Sequence, residues 1–407
     1  MVGNTLQWYD YALYGYFASV ISDLFFPLKN EYLSLIAAFG VFAAGFIMRP
    51  VGAILFGYIG DKYGRRLALS SAVLLMAVPT SCIGLLPTYE DIGIIAPLLL
   101  IVIRLIQGLA LGGEFSGSMT FIIEHSPDNK HGIVGSSSMF SMVLGMLLGS
   151  FVAAFTAGVL TPEDFKTWGW RIPFLISLPA GIIGLYIRTQ LQESPKYEKL
   201  KLENGLSVKP LREVIMHHWK EVIIVIGIVL SLTVPFYTLT VFMNSFLVKI
   251  LNHSIHNATI MNTINMLVLM IFIPISAIVS DKIGRKNVLI AVTIGYILFT
   301  YPIFLLLVQD GFIKPLLAQI AFSILVGCFI GPLPAMMVET FPTKVCYTGT
   351  ALSYNFSIAI FGGTAPAIST WLIKSTELNS IVALYIILYA IVSLIALCCY
   401  KGESTAK

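Results

Sequence analysis

Apolar residues run in blocks of about twenty or more, broken by short polar links, and this alternation dominates the chain. Twelve blocks stand out, at roughly 2–26, 34–60, 67–87, 93–122, 132–159, 170–188, 219–248, 258–280, 287–308, 313–338, 347–373 and 380–399. At 1.5 Å of rise per residue each is long enough to cross a hydrocarbon core as a helix. The pattern therefore predicts an all-α membrane protein with twelve transmembrane helices. Most links are short. The exception, 189–218, is rich in Lys and Glu, contains Pro195 and Pro210, and reads as a linker carrying a surface helix. It divides the chain into a six-helix half at 1–188, a second at 219–400 and a tail at 401–407.

The two halves echo each other. Gly57–Arg66 reads GYIGDKYGRR and Ala277–Lys286 reads AIVSDKIGRK, an offset of 220 between Asp61 and Asp281. Glu124-His-Ser-Pro127 and Glu339-Thr-Phe-Pro342 repeat at an offset of 215. A long-period echo marks related, pseudo-symmetric halves, and in a membrane protein such halves point to a transporter with its site near the midplane.

Composition agrees. Hydrophobic residues make up 57% and charged ones 11%, against roughly 25% charged in soluble domains. A net charge of +4 gives no reason to invoke nucleic acid. The five cysteines lack zinc or redox spacing and the six histidines are scattered, so neither a metal nor a cofactor is expected. There is no H-E-x-x-H or G-x-S-x-G stretch to suggest an enzyme, and no continuous polar stripe or ring of one charge to suggest a channel. Lys and Arg concentrate in the even-numbered links, among them Lys62, Arg65, Arg66, Lys130, Lys282, Arg285, Lys286 and Lys344, and in the central linker. The odd-numbered links hold only Lys29, Lys166, Lys249, Lys314 and Lys374. Both termini and the linker are thus expected in the cytoplasm. The first block has no basic n-region and continues as a full span, which argues against a cleavable signal. From its abrupt apolar start, a leading turn of the first helix is expected to be missing, and no regulatory coiled coil is expected after the short tail.

A few charges lie inside the apolar blocks. Such groups pair, line water or carry protons, because an isolated charge in hydrocarbon is costly. Asp10 lies in the first block, Arg49 in the second, Arg104 and Glu114 in the fourth. Glu114 follows Arg104 by ten residues and so points about 80° away; Arg49 is its expected partner, as a structural pair or a second proton site. Arg171, at an outer edge, is expected to meet Glu163 or Asp164. In the repeated turns, Asp61 and Asp281 are expected against the positive N-terminal ends of helices near spans 11 and 5. Arg65, Arg66 and Arg285, with Glu124 and Glu339, would complete a gating latch; the plainer alternative is a topology signal with solvated charges. Tyr11, Tyr14 and Gln107 in one half, and Tyr237, Asn244, Asn265, Tyr354 and Asn355 in the other, are candidate substrate contacts, although any single Tyr can equally pack with its hydroxyl satisfied. Gly362-Gly363 before Pro366 should bend span 11. The glycines of 108–117 should let span 4 approach a neighbour closely.

Two six-span halves carrying the Asp-Lys-x-Gly-Arg turn after spans 2 and 8 resemble the major facilitator superfamily. Gly3-Asn4-x-Leu6-Gln7-Trp8-Tyr9-Asp10-Tyr11-x-Leu13-Tyr14-Gly15, Arg49-Pro50-x-Gly52, Arg104-x-x-Gln107-Gly108 with Gly112-Gly113-Glu114, Gly169-Trp170-Arg171-x-Pro173-Phe174, and Tyr354-Asn355 with Phe361-Gly362-Gly363-Thr364-x-Pro366 narrow the resemblance to its metabolite:proton symporter family. That family includes proline/betaine, α-ketoglutarate, citrate and shikimate carriers. The resemblance implies a monomer in a bacterial plasma membrane that moves a small polar metabolite with protons by alternating access. A zwitterion such as proline or a betaine is the first expectation for cargo, and an organic acid such as citrate or α-ketoglutarate the alternative. In proton-coupled sugar members an acid on span 1 pairs with an arginine on span 4. The matching Asp10 and Arg104 are expected to pair when Asp10 is ionised and to part when it is protonated, or else to form a permanent structural pair. Three positions depart from the family: Gln7 stands where many members have Glu, Asn244 where many have Pro, and Cys346 where a basic residue is common.

Overall fold

The computed structural model describes residues 2–28, 31–127, 130–190, 192–203 and 209–401. Part of the linker (191 and 204–208) and the tail beyond 401 lie outside the described residues. All regular structure among them is helical: α1 (Val2–Tyr16), α2 (Ala18–Phe25), α3 (Glu31–Lys62), α4 (Arg65–Leu85), α5 (Ile95–Glu124), α6 (His131–Val159), α7 (Ser177–Thr189), α8 (Pro195–Leu202), α9 (Trp219–Tyr237), α10 (Ile255–Ile283), α11 (Arg285–Leu307), α12 (Ile313–Ile330), α13 (Cys346–Ser357), α14 (Ala365–Thr376) and α15 (Ile381–Cys399), with shorter turns between.

Eleven helical stretches among the described residues are long and apolar enough to span a membrane. The first of the twelve predicted blocks is the exception, because it is divided. α1 and α2 meet at Phe17, whose φ and ψ are −95° and 10°. The hydrogen-bond ladder continues through this joint, Phe17 N–H to Leu13 O and Ile21 N–H to Phe17 O. Together the two pieces cover the predicted block. The repeated turns are also as tight as their sequence demands. Gly64 and Gly284 are the links between α3 and α4 and between α10 and α11, at φ of 114° and 93°, where only glycine sits without strain.

The chain condenses into two compact units. One holds Met1–Phe121, Ser141–Glu213 and Thr343–Leu352; the other holds Ile122–Phe140, Val214–Pro342 and Ser353–Lys407. The linker parts the halves in sequence, yet the start of α13 groups with the first unit and the start of α6 with the second. Both are helix N-termini, and both are held by an acid of the unit they join, as described below.

In the first unit α3 and α5 touch backbone to backbone. A Cβ at Gly52 would stand 2.0 Å from Leu109 O, one at Gly108 2.0 Å from Gly45 O, and one at Gly112 2.2 Å from Arg49 O. The glycines of span 4 therefore serve the close approach their sequence suggests. Tyr9, Leu13, Tyr14, Phe17, Phe25, Trp170 and Phe174 belong to an adjoining buried hydrophobic cluster rich in aromatic rings. In the second unit α12 packs on α10 and α11, and α15 on α9 and α11. Two π-helical turns interrupt the long spans there, Thr238–Phe242 after Pro235 and Ile358–Gly362 before α14. A Cβ at Gly362 would press on Tyr237 and Thr233 at 2.8 Å. The expected bend of span 11 is realised as this π turn and the break that follows it.

Candidate functional site: a buried arginine among aromatic rings

Arg104 is fully buried on α5. Its Nη1 donates to Gln107 Oε1 at 2.8 Å, and Gln107 Nε2 donates to Thr80 Oγ1 of α4 at 2.7 Å. The guanidinium carbon lies 4.4 Å from the Tyr14 ring centroid, 5.0 Å from Tyr11 and 5.1 Å from Phe42. Nε and Nη2 make no close hydrogen bond among the described residues, and the Tyr11 side chain is the guanidinium's other polar neighbour. Asp10 is also buried, and its Oδ1 accepts from Ser177 Oγ at 2.6 Å; Thr80 is the carboxylate's other hydroxyl neighbour.

The expected Asp10–Arg104 ion pair is therefore absent from this conformation. The reason lies in helix rotation. α1 turns Asp10 toward hydroxyls on α7 and α4 and turns the rings of Tyr11 and Tyr14 over Arg104. Acid and cation belong to one polar cluster without touching.

The rings extend beyond the arginine. Trp8 packs on Tyr11 and Phe115 with centroids 5.8 and 6.2 Å apart. Tyr11 packs on Phe42 and Phe46 at 5.0 and 5.7 Å. Trp8, Phe42, Phe46 and Phe115 were not singled out by sequence. Their signal was available in part, since Trp8 and Tyr11 share a face of α1 at i, i+3, and Phe42 and Phe46 one of α3 at i, i+4. Gln7, one turn before Tyr11, is buried with neither amide atom partnered among the described residues. Two expected substrate contacts are already engaged: Tyr14 donates to Ala38 O at 2.9 Å, and Gln107 uses both ends of its amide as described above.

Glu114 does not take Arg49 as its partner. It faces the end of α7, where Arg188 Nη1 reaches Glu114 Oε2 at 2.6 Å and Nη2 bonds Oε1 in the second arm of a fork. Arg49 lies along the ring of Phe46, at 5.7 Å. Arg171 likewise bypasses Glu163 and Asp164. It donates to Gly84 O and Leu86 O at 3.0 and 2.6 Å, closing the C-terminal end of α4.

The two repeated turns build one device twice. Asp61 accepts from Tyr347 N–H at 3.3 Å and Thr348 N–H at 2.9 Å, at the start of α13. Asp281 accepts from Gly132 N–H at 2.8 Å and Ile133 N–H at 2.9 Å, at the start of α6. The receiving pairs differ by 347 − 132 = 215, the offset of the second repeat. Each acid meets unpaired N–H groups and the positive end of a helix dipole. Arg65 binds Asp61 at 2.8 Å, Gly60 O at 2.7 Å and Thr343 O at 2.9 Å. Arg285 binds Glu339 at 2.8 Å and Asp281 at 3.4 Å, and His131 adds a contact to Glu339 at 2.7 Å. Arg66 donates to Thr189 O, and Glu124 is buried at the end of α5.

In the second unit Asn265 Nδ2 donates to Gln319 Oε1 at 2.6 Å, and Gln319 Nε2 to Met261 Sδ at 3.2 Å. Asn265 Oδ1 has no partner among the described residues. Tyr237, Tyr354 and Asn355 are buried, and Asn244 is exposed. No group of His, Cys, Asp and Glu among the described residues is placed to hold a metal.

Comparison with known proteins places this architecture. A sequence profile described as Major Facilitator Superfamily matches residues 6–363 and 236–407. A glycine betaine/proline/ectoine/pipecolic acid transporter of Dickeya dadantii is 34% identical over 97% of this chain and 80% of its own length. The proline/betaine transporter of Salmonella typhimurium is 34% identical with the same coverage. Among solved structures, the proton:xylose symporter XylE bound to 6-bromo-6-deoxy-D-glucose superposes with a TM-score of 0.83 at 19% identity, over 100% of this chain and 95% of that one. Repeated halves, membrane-spanning helices and this match agree: the chain belongs to the Major Facilitator Superfamily and is a multi-pass membrane transporter, not an enzyme.

Proposed function

We propose that the protein imports a small zwitterion such as proline or a betaine together with a proton, across a bacterial plasma membrane, with both termini in the cytoplasm. The observation that carries this reading is Arg104, a buried guanidinium with two unspent donors beside a wall of aromatic faces. A carboxylate binds such a fork through charge-assisted bonds. A secondary or quaternary ammonium binds the faces of Trp8, Tyr11, Phe42 and Phe46. A zwitterion uses both features, whereas citrate or α-ketoglutarate uses only the arginine. The relatives named for proline and betaine support the same choice.

Asp10 takes the proton. It is a buried carboxyl held by hydroxyls, with no ion-pair partner among the described residues. Arg49 and the Glu114–Arg188 pair support this cluster. Tyr237, Asn244, Asn265, Tyr354 and Asn355 serve as cargo contacts from the second half of the chain. Asp61, Arg65, Arg66 and Glu124, with Asp281, Arg285 and Glu339, act as the cytoplasmic gate, which opens when the two acids leave their helix ends.

The test is uptake of labelled proline and glycine betaine into proteoliposomes, with and without an inward proton gradient. Accumulation that needs the gradient and is competed by betaine but not by citrate is expected. Competition by citrate alone would transfer the site to organic acids, and gradient-independent flux would end the symport reading.

A further inference from the structure

Between the acid and the cation lies a short chain of polar groups whose direction is fixed at both ends. Arginine can only donate, and an ionised carboxylate can only accept. Arg104 Nη1 gives to Gln107 Oε1 at 2.8 Å, and Gln107 Nε2 gives to Thr80 Oγ1 at 2.7 Å. The amide of Gln107 is thereby oriented, with no end left over. Thr80 accepts from Gln107 and has a single proton to give. Two acceptors compete for it: Met76 O one turn back on α4, at 2.8 Å, and the Asp10 carboxylate that Thr80 neighbours. Asp10 is already held on its other side by Ser177 at 2.6 Å.

We infer that Thr80 is a positioning residue for proton coupling, a hydroxyl rotor through which the charge on Asp10 reaches Arg104 without a salt bridge. The inference rests on the reading of Asp10 as the proton site. While Asp10 is ionised, the Thr80 proton turns to the carboxylate, and every donor from Arg104 onward points along one line toward the anion, each bond polarising the next. When Asp10 takes a proton its O–H becomes a donor, and the Thr80 proton returns to Met76 O. The line then loses its anionic terminus, and the hold of Gln107 on Arg104 weakens. The guanidinium is freed to turn its fork to the cargo carboxylate. Proton and cargo are thereby ordered, proton first, through a hydroxyl, an amide and a guanidinium.

The experiment compares Thr80→Val, Thr80→Ser and Asp10→Asn with the unaltered protein in proteoliposomes, reading gradient-driven accumulation of proline, the KM of proline counterflow and the pH profile of counterflow. Val matches the shape of Thr and lacks the hydroxyl. Thr80→Val should lower the ratio of accumulation to counterflow about tenfold, as expected for one lost internal hydrogen bond. It should also flatten the pH profile while leaving the counterflow KM in place, and Thr80→Ser should restore both the ratio and the profile. If Thr80→Val does not reconstitute, Gln107→Met cuts the same line from its other side and should show the same fall in ratio. Equal loss of both transport modes, failure of Ser to rescue, or full accumulation by Thr80→Val beside a defective Asp10→Asn would each overturn the rotor while leaving Asp10 as the proton site. Full accumulation by Asp10→Asn would remove both.

Discussion

At the scale of the residue, the chemistry concentrates in a few side chains whose surroundings set their behaviour. Arg104 depends on the planarity of its fork as well as its charge. Lysine there keeps the cation and loses the paired donors and the flat stacking on Tyr14. Arg104→Lys should raise the KM for proline roughly 10- to 100-fold, the equivalent of losing one or two charge-assisted bonds, with protein yield unchanged; an unaltered KM would take the carboxylate away from this arginine. The Glu114–Arg188 pair is different in kind, because both groups are buried and satisfied by each other. Removing one partner strands the other, at a cost of about 3–5 kcal/mol. Arg188→Met should sharply lower the thermal unfolding temperature in detergent, and Arg188→Met with Glu114→Leu should recover much of the loss. A double variant as unstable as the single would show that the pair does more than satisfy itself.

Sequence located these residues better than it matched them. Asp10, Arg104, Gln107, Tyr11 and Tyr14 were all legible, since a charge or amide inside an apolar block needs a reason. Their partners were not, because contact depends on how each helix is rotated and tilted, and hydropathy does not record that. Arg188 is the clearest case. Its place at the end of a block reads as a topology signal, yet its guanidinium folds inward over Gly3, where a Cβ would lie 2.2 Å from Nη2. The small residue that admits it is 185 positions away (188 − 3).

At the scale of the element, the repeated turn carries the most meaning per residue. Glycine at Gly64 and Gly284 permits the left-handed backbone that reverses the chain within one or two residues, and the preceding acid is delivered to a helix N-terminus. This much followed from the pattern, because glycine and an acid at fixed spacing leave few other uses. The joint at Phe17 did not follow, since no proline marks it and the nearby Gly15 sits inside the helix before it. The cap makes a prediction. Asp61→Asn keeps an oxygen for the N–H groups of Tyr347 and Thr348 but gives up the charge shared with Arg65, whereas Asp61→Ala gives up both. The alanine variant should lose about 0.5–2 kcal/mol, the usual value of a helix cap, and the asparagine variant less. Thermal unfolding of the two side by side checks this order, and equal losses would mean that charge alone matters. The contact of α3 with α5 is less forgiving. Valine at Gly112 would drive its Cβ to about the 2.2 Å that separates such an atom from Arg49 O, so Gly112→Val should abolish folded protein on size-exclusion chromatography, while Gly15→Ala, with open space around it, should not.

At the scale of the whole molecule, the loops rich in Lys and Arg also carry the acids that cap helix starts. Positive charge concentrates in links that contain Lys62 with Arg65 and Arg66, Lys130, Lys282 with Arg285 and Lys286, and Lys344. Those links also hold Asp61, Asp281 and the helix starts they cap. Two helices, α6 and α13, are divided between the two compact units. The proposed gate requires both caps on one face of the bilayer, and the positive-inside bias predicts that face to be the cytoplasmic one. Alkaline phosphatase fused after the links near 88, 160 and 310 should therefore be active in a bacterial host, and fusions near 127, 205 and 401 inactive, with a cytoplasmic reporter giving the opposite pattern. The assignment is sensitive because the two predicted sets alternate along the chain. One span passing the wrong way would invert every reporter after it, and the break at Phe17 makes the first span the place to look. If the early fusions fit and the later ones invert, one of the spans in between fails to cross. If all invert together, the caps face the outside and cannot gate entry to the cytoplasm.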